Sequence, residues 1–262
     1  MVRDSQVAAA GTHASGHGSS DIWRRASTRP LLLTVGRSAL ILAAQATASL
    51  VFILQGDRAP WMSASHWWTV YGTLADVGCL ALLWRFTRAE GTTLRGLIGP
   101  VHWRRGRDLW IGLGLFLLIF PLMVLGGMLS NSIVYGTMTA DPNPTGAVHP
   151  GIPLWGVVYS RSAWWIIWSA TEELTYQGYA LARLRALFRP WIALVVVGFW
   201  WALQHSFLPF IPDWRYVLWR FVMVVPGIVV MMLAYLRVGR LTPLIVAHWP
   251  MDVIVAWMAT RS

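Results

Sequence analysis

Trp164-Trp165-Ile166-Ile167-Trp168-Ser169-Ala170-Thr171-Glu172-Glu173-Leu174-Thr175-Tyr176-Gln177-Gly178-Tyr179-Ala180-Leu181 sets two adjacent carboxylates inside a stretch that is otherwise mostly aromatic and apolar. The chain has only three glutamates, Glu90, Glu172 and Glu173, so two of the three stand where charge is least favourable. A charged side chain at the centre of a bilayer costs roughly 2.5–3.5 kcal/mol on insertion scales. A helix with only a packing role avoids that cost with leucine, so an intramembrane acid pair marks a candidate functional site.

Outward from this pair the chain reads as a membrane protein. Of its 262 residues 56% are hydrophobic and 12% charged, a balance outside that of ordinary soluble domains. Seven segments reach the length of about 20 mostly apolar residues that a membrane helix needs: 31–54, 67–86, 109–130, 154–182, 190–208, 216–237 and 241–259. The expected fold is therefore all-α, a polytopic membrane helix bundle of about seven transmembrane helices. Residues 1–30, polar and rich in Gly, Ser and His, read as a disordered cytoplasmic tail. A signal peptide does not suit this end, because the charged region is too long and the apolar run continues through Leu54. Residues 31–130 form an N-terminal three-helix membrane region, and 131–152, with Pro142, Pro144, Gly146, Pro150 and Gly151, an irregular external loop. Residues 153–262 form the core that carries the acid pair.

All 21 basic residues are arginine, and fifteen of them fall in alternate connections: the tail, Arg85 to Arg107, Arg183 to Arg189, and Arg237 with Arg240. By the positive-inside rule these face the cytoplasm, which puts the N-terminus inside and the C-terminus outside. The formal charge of +10 does not indicate a nucleic-acid partner, because the arginines lie between apolar runs and gather on no one face. Residues 87–108 mix arginines with Leu94, Leu97, Ile98, Val101 and Trp103, which suits either a segment lying on the anionic leaflet or a plain topology-fixing loop. The single Cys79 excludes an intrachain disulfide and a cysteine-based zinc site. No internal repeat suggests the inverted halves of a transporter.

Three further polar residues inside spans are His205, His248 and Asp252. At ~1.5 Å of rise per residue, Glu172, His205, His248 and Asp252 lie at overlapping depths of ~11–22 Å on three helices. His248 and Asp252, four apart, share one helix face, as Glu173 and Gln177 do on theirs. A carboxylate in apolar surroundings can act as general base towards water. Neutral histidines can hold that water, donate to an oxyanion or bind a metal. Asp76 and Arg37, both in the cytoplasmic half, are expected to pair, and Arg161 to snorkel from its span.

At these residues the sequence resembles the CPBP intramembrane proteases, which include CAAX prenyl endopeptidases of the Rce1 type and bacterial immunity-associated relatives. Three motifs over about residues 160–260 carry the resemblance: Glu172-Glu173 with Gln177-Gly178, Trp201 with His205, and His248 with Asp252. The resemblance implies an intramembrane endopeptidase acting on a membrane-associated or lipidated protein substrate, with Glu172 activating water and His205 assisting. Glu173, His248 and Asp252 complete the implied catalytic set, and His248 and Asp252 support the oxyanion or the water. The resemblance leaves open a divalent metal such as zinc on His205 and His248. The family's arginine is replaced by Gln177, its phenylalanine by Trp201 and its asparagine by Asp252. The expected protein is thus a hydrolase integral to the cell membrane. A catalytically inactive scaffold and a proton-coupled transporter are the alternatives.

Overall fold

Inside a bilayer every backbone polar group must be satisfied by the chain itself, which is why apolar runs of this length fold as helices. The computed structural model describes residues 17–101, 106–140 and 152–260, with side chains described from residue 27 onward, and the fold is all-α among them. It opens with α1 (His17–Leu54), α2 (Pro60–Ser65), α3 (Trp68–Ala89), α4 (Leu94–Ile98) and α5 (Arg107–Tyr135). An unbroken helical run follows, made of α6 (Leu154–Tyr159), a π-helical segment Ser160–Trp164, α7 (Trp165–Glu172), a second π-helical segment Glu173–Leu181 and α8 (Ala182–Leu187). The chain closes with α9 (Pro190–His205), α10 (Trp214–Val238) and α11 (Thr242–Ala259).

Each of the seven expected segments lies in its own helical rod. Ser27–Leu54, Arg107–Tyr135, Trp214–Val238 and Thr242–Ala259 are long and apolar enough to cross a membrane. Helix α9 is apolar but has only 16 residues, about 24 Å of rise against a hydrocarbon core of about 30 Å. The chain is an integral membrane protein.

Two boundaries differ from expectation. Helix α1 begins at His17, so the segment expected to be disordered over 1–30 is helical from that residue, with Pro30 inside the helix. Extending an existing helix fixes one residue per hydrogen bond, far cheaper than nucleating one, and the apolar run supplies the nucleus. Helix α5 runs on to Tyr135, five residues past its expected end, and caps there on Gly136 in the left-handed conformation. Residues 141–151, with the prolines and glycines of the expected loop, lie outside the described residues, as do 1–16 and 102–105.

The arginine-rich connections meet at one end of the bundle. Glu90, just after α3, accepts from Arg183 Nε and Nη2 at 2.8 and 2.6 Å and from the Tyr179 hydroxyl at 2.5 Å, with Arg29 at 3.8 Å. Asp108 takes Arg240 Nε and Nη2 at 2.9 and 2.7 Å. Leu94, Leu97 and Ile98 pack beside Leu83, Tyr179 and Leu241, so these three residues of the connection face the protein, while Val101 is exposed. At the opposite end Arg161 does not snorkel: it donates to Thr260 Oγ1 and O at 2.8 and 2.6 Å, satisfying the end of α11.

Close helix packing in a membrane relies on small residues, and α5 shows it on two sides. A Cβ on Gly126 would strike the Met223 carbonyl oxygen of α10, and one on Gly112 would lie 2.6 Å from Val246 Cγ1 of α11. Gly114, on the same helix, has nothing within 4 Å of such a Cβ. Gly126→Ala should therefore destabilise the detergent-solubilised protein by roughly 1–3 kcal/mol, the cost of overpacking, while Gly114→Ala should not; thermal unfolding of the two variants side by side checks this. Partial burial raises the Glu90 carboxyl, but hydrogen bonds from Arg183 and Tyr179 and the nearby arginine charges outweigh it and hold the group below the ordinary carboxylate range. Glu90 thus stabilises the fold at neutral pH, and that contribution fades as pH falls through its lowered folded value. A Glu90→Gln variant should be less stable than wild type at pH 7, the gap closing towards pH 3 in a thermal-shift series.

Candidate active site

The two glutamates fall where the chain changes from α7 to the second π-helical segment. A π turn carries one more residue than an α turn, which alters the register of side chains along the rod, and such insertions gather at functional sites. Both side chains are completely buried, and they turn to different neighbours. Glu172 faces α9: its Oε2 accepts from the Trp201 indole Nε1 at 2.7 Å and its Oε1 from the Gln204 amide Nε2 at 2.5 Å. Glu173 faces α11, its Oε1 lying 3.1 Å from His248 Nδ1.

His248 stands between the acids. Its Nε2 lies 3.9 Å from Glu172 Oε2 and 3.8 Å from Asp252 Oδ1, so the ring joins both glutamates to the aspartate one turn along α11. His205 ends α9, and its Nδ1 lies 2.8 Å from the Trp201 carbonyl oxygen. A carbonyl only accepts, so Nδ1 carries the hydrogen and, in the neutral ring, Nε2 keeps its lone pair.

Glu172, His205, His248 and Asp252 line one cavity of about 120 Å³, walled by Trp68, Trp164, Trp168 and Trp201 and by methionines of α5, α10 and α11. A water needs ~10–15 Å³ of such space, so several fit. Glu173 stands behind this cavity, where it holds His248. Of the five residues singled out in the sequence, four therefore share a chamber and the fifth supports it.

Gln177 does not bond to Glu173. Both of its amide atoms and Glu173 Oε2 are buried without a hydrogen-bond partner among the described residues, and Glu173 takes His248 instead. The i, i+4 spacing assumed for that contact is an α-helical one, whereas this segment winds as π-helix. Nor do His205 and His248 form a metal site: among the described residues no three His, Cys, Asp or Glu side chains are arranged to hold an ion. His248 gives its Nδ1 to Glu173, which leaves its Nε2 facing Glu172 and Asp252 at 3.9 and 3.8 Å.

Several contacts have no counterpart among the sequence expectations. Trp201, noted in the sequence only in place of a phenylalanine, donates a hydrogen bond to Glu172 and stacks on Tyr176 with centroids 5.3 Å apart. Gln204 takes part as directly as its neighbour His205; a lone amide in an apolar helix was the available signal. The expected pair of Arg37 and Asp76 is present at 2.8 Å, both side chains fully buried, and Arg37 also reaches the site. Its Nε donates to Gln204 Oε1 at 2.8 Å, and its Nη2 lies 4.0 Å from Glu172 Oε1. Arg220, from α10, lines the cavity and donates to the carbonyls of His205 and Leu208.

Since Trp201 and Gln204 fix the acid, removing either donor should cost stability in a way that depends on the charge of Glu172. Trp201→Phe keeps the ring stack on Tyr176 but withdraws one hydrogen bond, and should cost about 1.5–3 kcal/mol, the range for bonds to charged groups. Urea unfolding in detergent checks it, with the double variant Trp201→Phe/Glu172→Gln restoring part of the loss.

No curated protein and no solved structure matches the chain significantly. The model of the family described as type II CAAX prenyl endopeptidase Rce1-like matches residues 153–254, the segment that contains α6 to α10 and most of α11. That segment, which holds both glutamates, both histidines and Asp252, is thus similar to the Rce1-like family of CAAX-type proteases.

Proposed function

We propose that the protein is an intramembrane endopeptidase in which Glu172 is the general base. The observation that carries this is the cavity itself, where a carboxylate, two imidazoles and an aspartate from three rods share water-sized space inside an apolar bundle. Each oxygen of Glu172 accepts one hydrogen bond from the protein, and a carboxylate oxygen has capacity for a second, so a water can still be held there. In the first step Glu172 takes a proton from that water while the hydroxide oxygen bonds to the carbonyl carbon of the scissile amide, and the carbonyl electrons move to its oxygen. His205, whose Nε2 accepts, is placed to orient the water, and His248, as an imidazolium among its three acids, to donate to that oxyanion. In the second step the proton passes from Glu172 to the leaving nitrogen as the C–N bond breaks, releasing a carboxylic acid and an amine and restoring the Glu172 carboxylate. Glu173 and Asp252 act through His248 as positioning residues.

The substrate of this reading is a membrane-associated protein, and the similarity of residues 153–254 to the CAAX prenyl endopeptidases supports a lipidated chain of the CAAX type. The arginine distribution supports a cytoplasmic N-terminus and an external C-terminus in a cell membrane. One observation favours a second reading, a scaffold without turnover: Gln177 stands where the family has arginine and has no partner for either amide atom among the described residues.

Membranes from cells making wild-type chain should contain new protein termini that are missing with Glu172→Gln at equal level, by mass spectrometry of terminal peptides. Loss of a general base lowers the rate by roughly 10²–10⁴-fold. Glu173→Gln should keep part of the activity, down about 10²-fold as misplacement of a supporting group typically costs. Equal termini with wild type and Glu172→Gln, both properly inserted, would favour the scaffold.

A further inference from the structure

Resting on the assignment of Glu172 as base, we propose that Arg37 of α1 is the fixed counter-charge of Glu172, delivered through Gln204. Arg37 lies far outside residues 153–254. Its side chain is fully buried, as are those of Asp76, Tyr176, Gln204 and Glu172. The hydrogen bonds run in one direction. Arg37 Nε and the Tyr176 hydroxyl both donate to Gln204 Oε1, at 2.8 and 3.1 Å, which fixes the amide so that Nε2 points at Glu172 Oε1, 2.5 Å away. With Trp201 on the other oxygen, both donors to Glu172 are N–H groups that cannot accept, an arrangement that matches a carboxylate and offers no acceptor to a carboxylic acid. The guanidinium lies over the Trp168 ring, 4.3 Å from its centroid, and within 4.0 Å of Glu172 Oε1.

Other titratable or charged groups face this acid. His248 lies 3.9 Å away on α11, and His205 of α9, Asp252 of α11 and Arg220 of α10 line the same cavity. Asp76 and Cys79 of α3 and Glu173 lie close enough to act on Arg37 or Glu172. Of the cations among them, Arg37 alone is both fully buried and charged whatever the state of the imidazoles. A fixed guanidinium is expensive to bury, and here it takes two partners on two helices: Asp76 on α3 and, through Gln204, the base itself. The N-terminal region is thus part of the site's electrostatics and not only its packing. Arg37 is a positioning residue, acting on Glu172 from outside the cavity.

The test reads charge directly, without turnover. A hydrophobic carbodiimide adds to a protonated carboxyl as an O-acylisourea that rearranges to a stable N-acylurea, while a carboxylate does not react. Purified full-length protein in detergent at pH 7.5 is labelled and digested, and adducts at Glu172, Glu173 and Asp76 are measured by mass spectrometry. In wild type Glu172 should be protected. In Arg37→Met, and in Arg37→Met/Asp76→Asn, which removes the ion pair without leaving a lone buried acid, labelling of Glu172 should rise about tenfold, the change that ~1.4 kcal/mol of lost charge stabilisation produces. Arg37→Lys should restore protection, and Glu173, held by His248, should not change. Asp76 should label once Arg37 is lost, which reports both reagent entry and the broken pair. Equal labelling of Glu172 in wild type and both Arg37 variants, at whatever level, overturns the proposal. If labelling follows Arg37 but no wild-type termini depend on Glu172, the counter-charge stands and the peptidase assignment falls.

Discussion

The hydrogen bond from Gln204 to Glu172 is the contact on which the rest of this architecture turns. Gln204 is held by Arg37 and Tyr176, Arg37 by Asp76, and Glu172 by Trp201 as well, so one buried chain of polar contacts ties α1, α3, α7, the second π segment and α9 together. In low dielectric such a chain is worth most when every member is satisfied and costs most when one is removed. Breaking a buried ion pair on one side costs about 3–5 kcal/mol because the other charge is stranded. The N-terminal helices are therefore not a separable anchor for the segment that carries the motifs. Their polar residues complete it.

The second constraint is that adjacent residues must do different work. Neighbours on an α-helix diverge by ~100°, which separates two side chains but leaves each of them on the same turn. Here the helix widens at Glu173, and the two acids meet α9 and α11 respectively. That division gives one carboxylate to the cavity and one to His248. Gly178, in the same segment, lets the rod approach the connections on either side of it in space, since a Cβ there would lie 2.8 Å from Leu241 Cδ1 and 3.4 Å from Leu97.

Much of this was legible in the sequence because membrane folding has few solutions. Apolar length set the seven rods, and the depths counted along three of them put Glu172, His205, His248 and Asp252 at a common level, where one cavity holds them. The Arg37–Asp76 pair followed from the cost of burying either alone. What sequence periodicity could not carry was the π winding, because the pattern of apolar residues does not distinguish it from α-helix over nine positions. Glu173 and Gln177, expected on one helix face, do not meet for that reason. Gln204 and Trp201 escaped for another: their roles depend on which helix faces which, and a linear sequence holds no record of the rotation of α9 about its axis.

The same contacts bear on whether the polar cluster serves stability or chemistry. Replacing a buried ion pair by apolar residues of similar volume is often neutral or stabilising, so a bundle in need of cohesion alone is as well served by leucine. Cohesion is supplied elsewhere, by the close approach of α5 to α10 and α11 through Gly112 and Gly126. Within the cluster, Glu173 Oε2, Asp252 Oδ2 and Asp76 Oδ2 remain buried without a protein partner among the described residues. Each such group costs about 1–3 kcal/mol, which is a poor return for a purely structural arrangement. Unspent acceptor capacity beside a chamber with room for water is instead what a hydrolytic site needs, since the groups that steady a water and an oxyanion must be free of one another before substrate arrives.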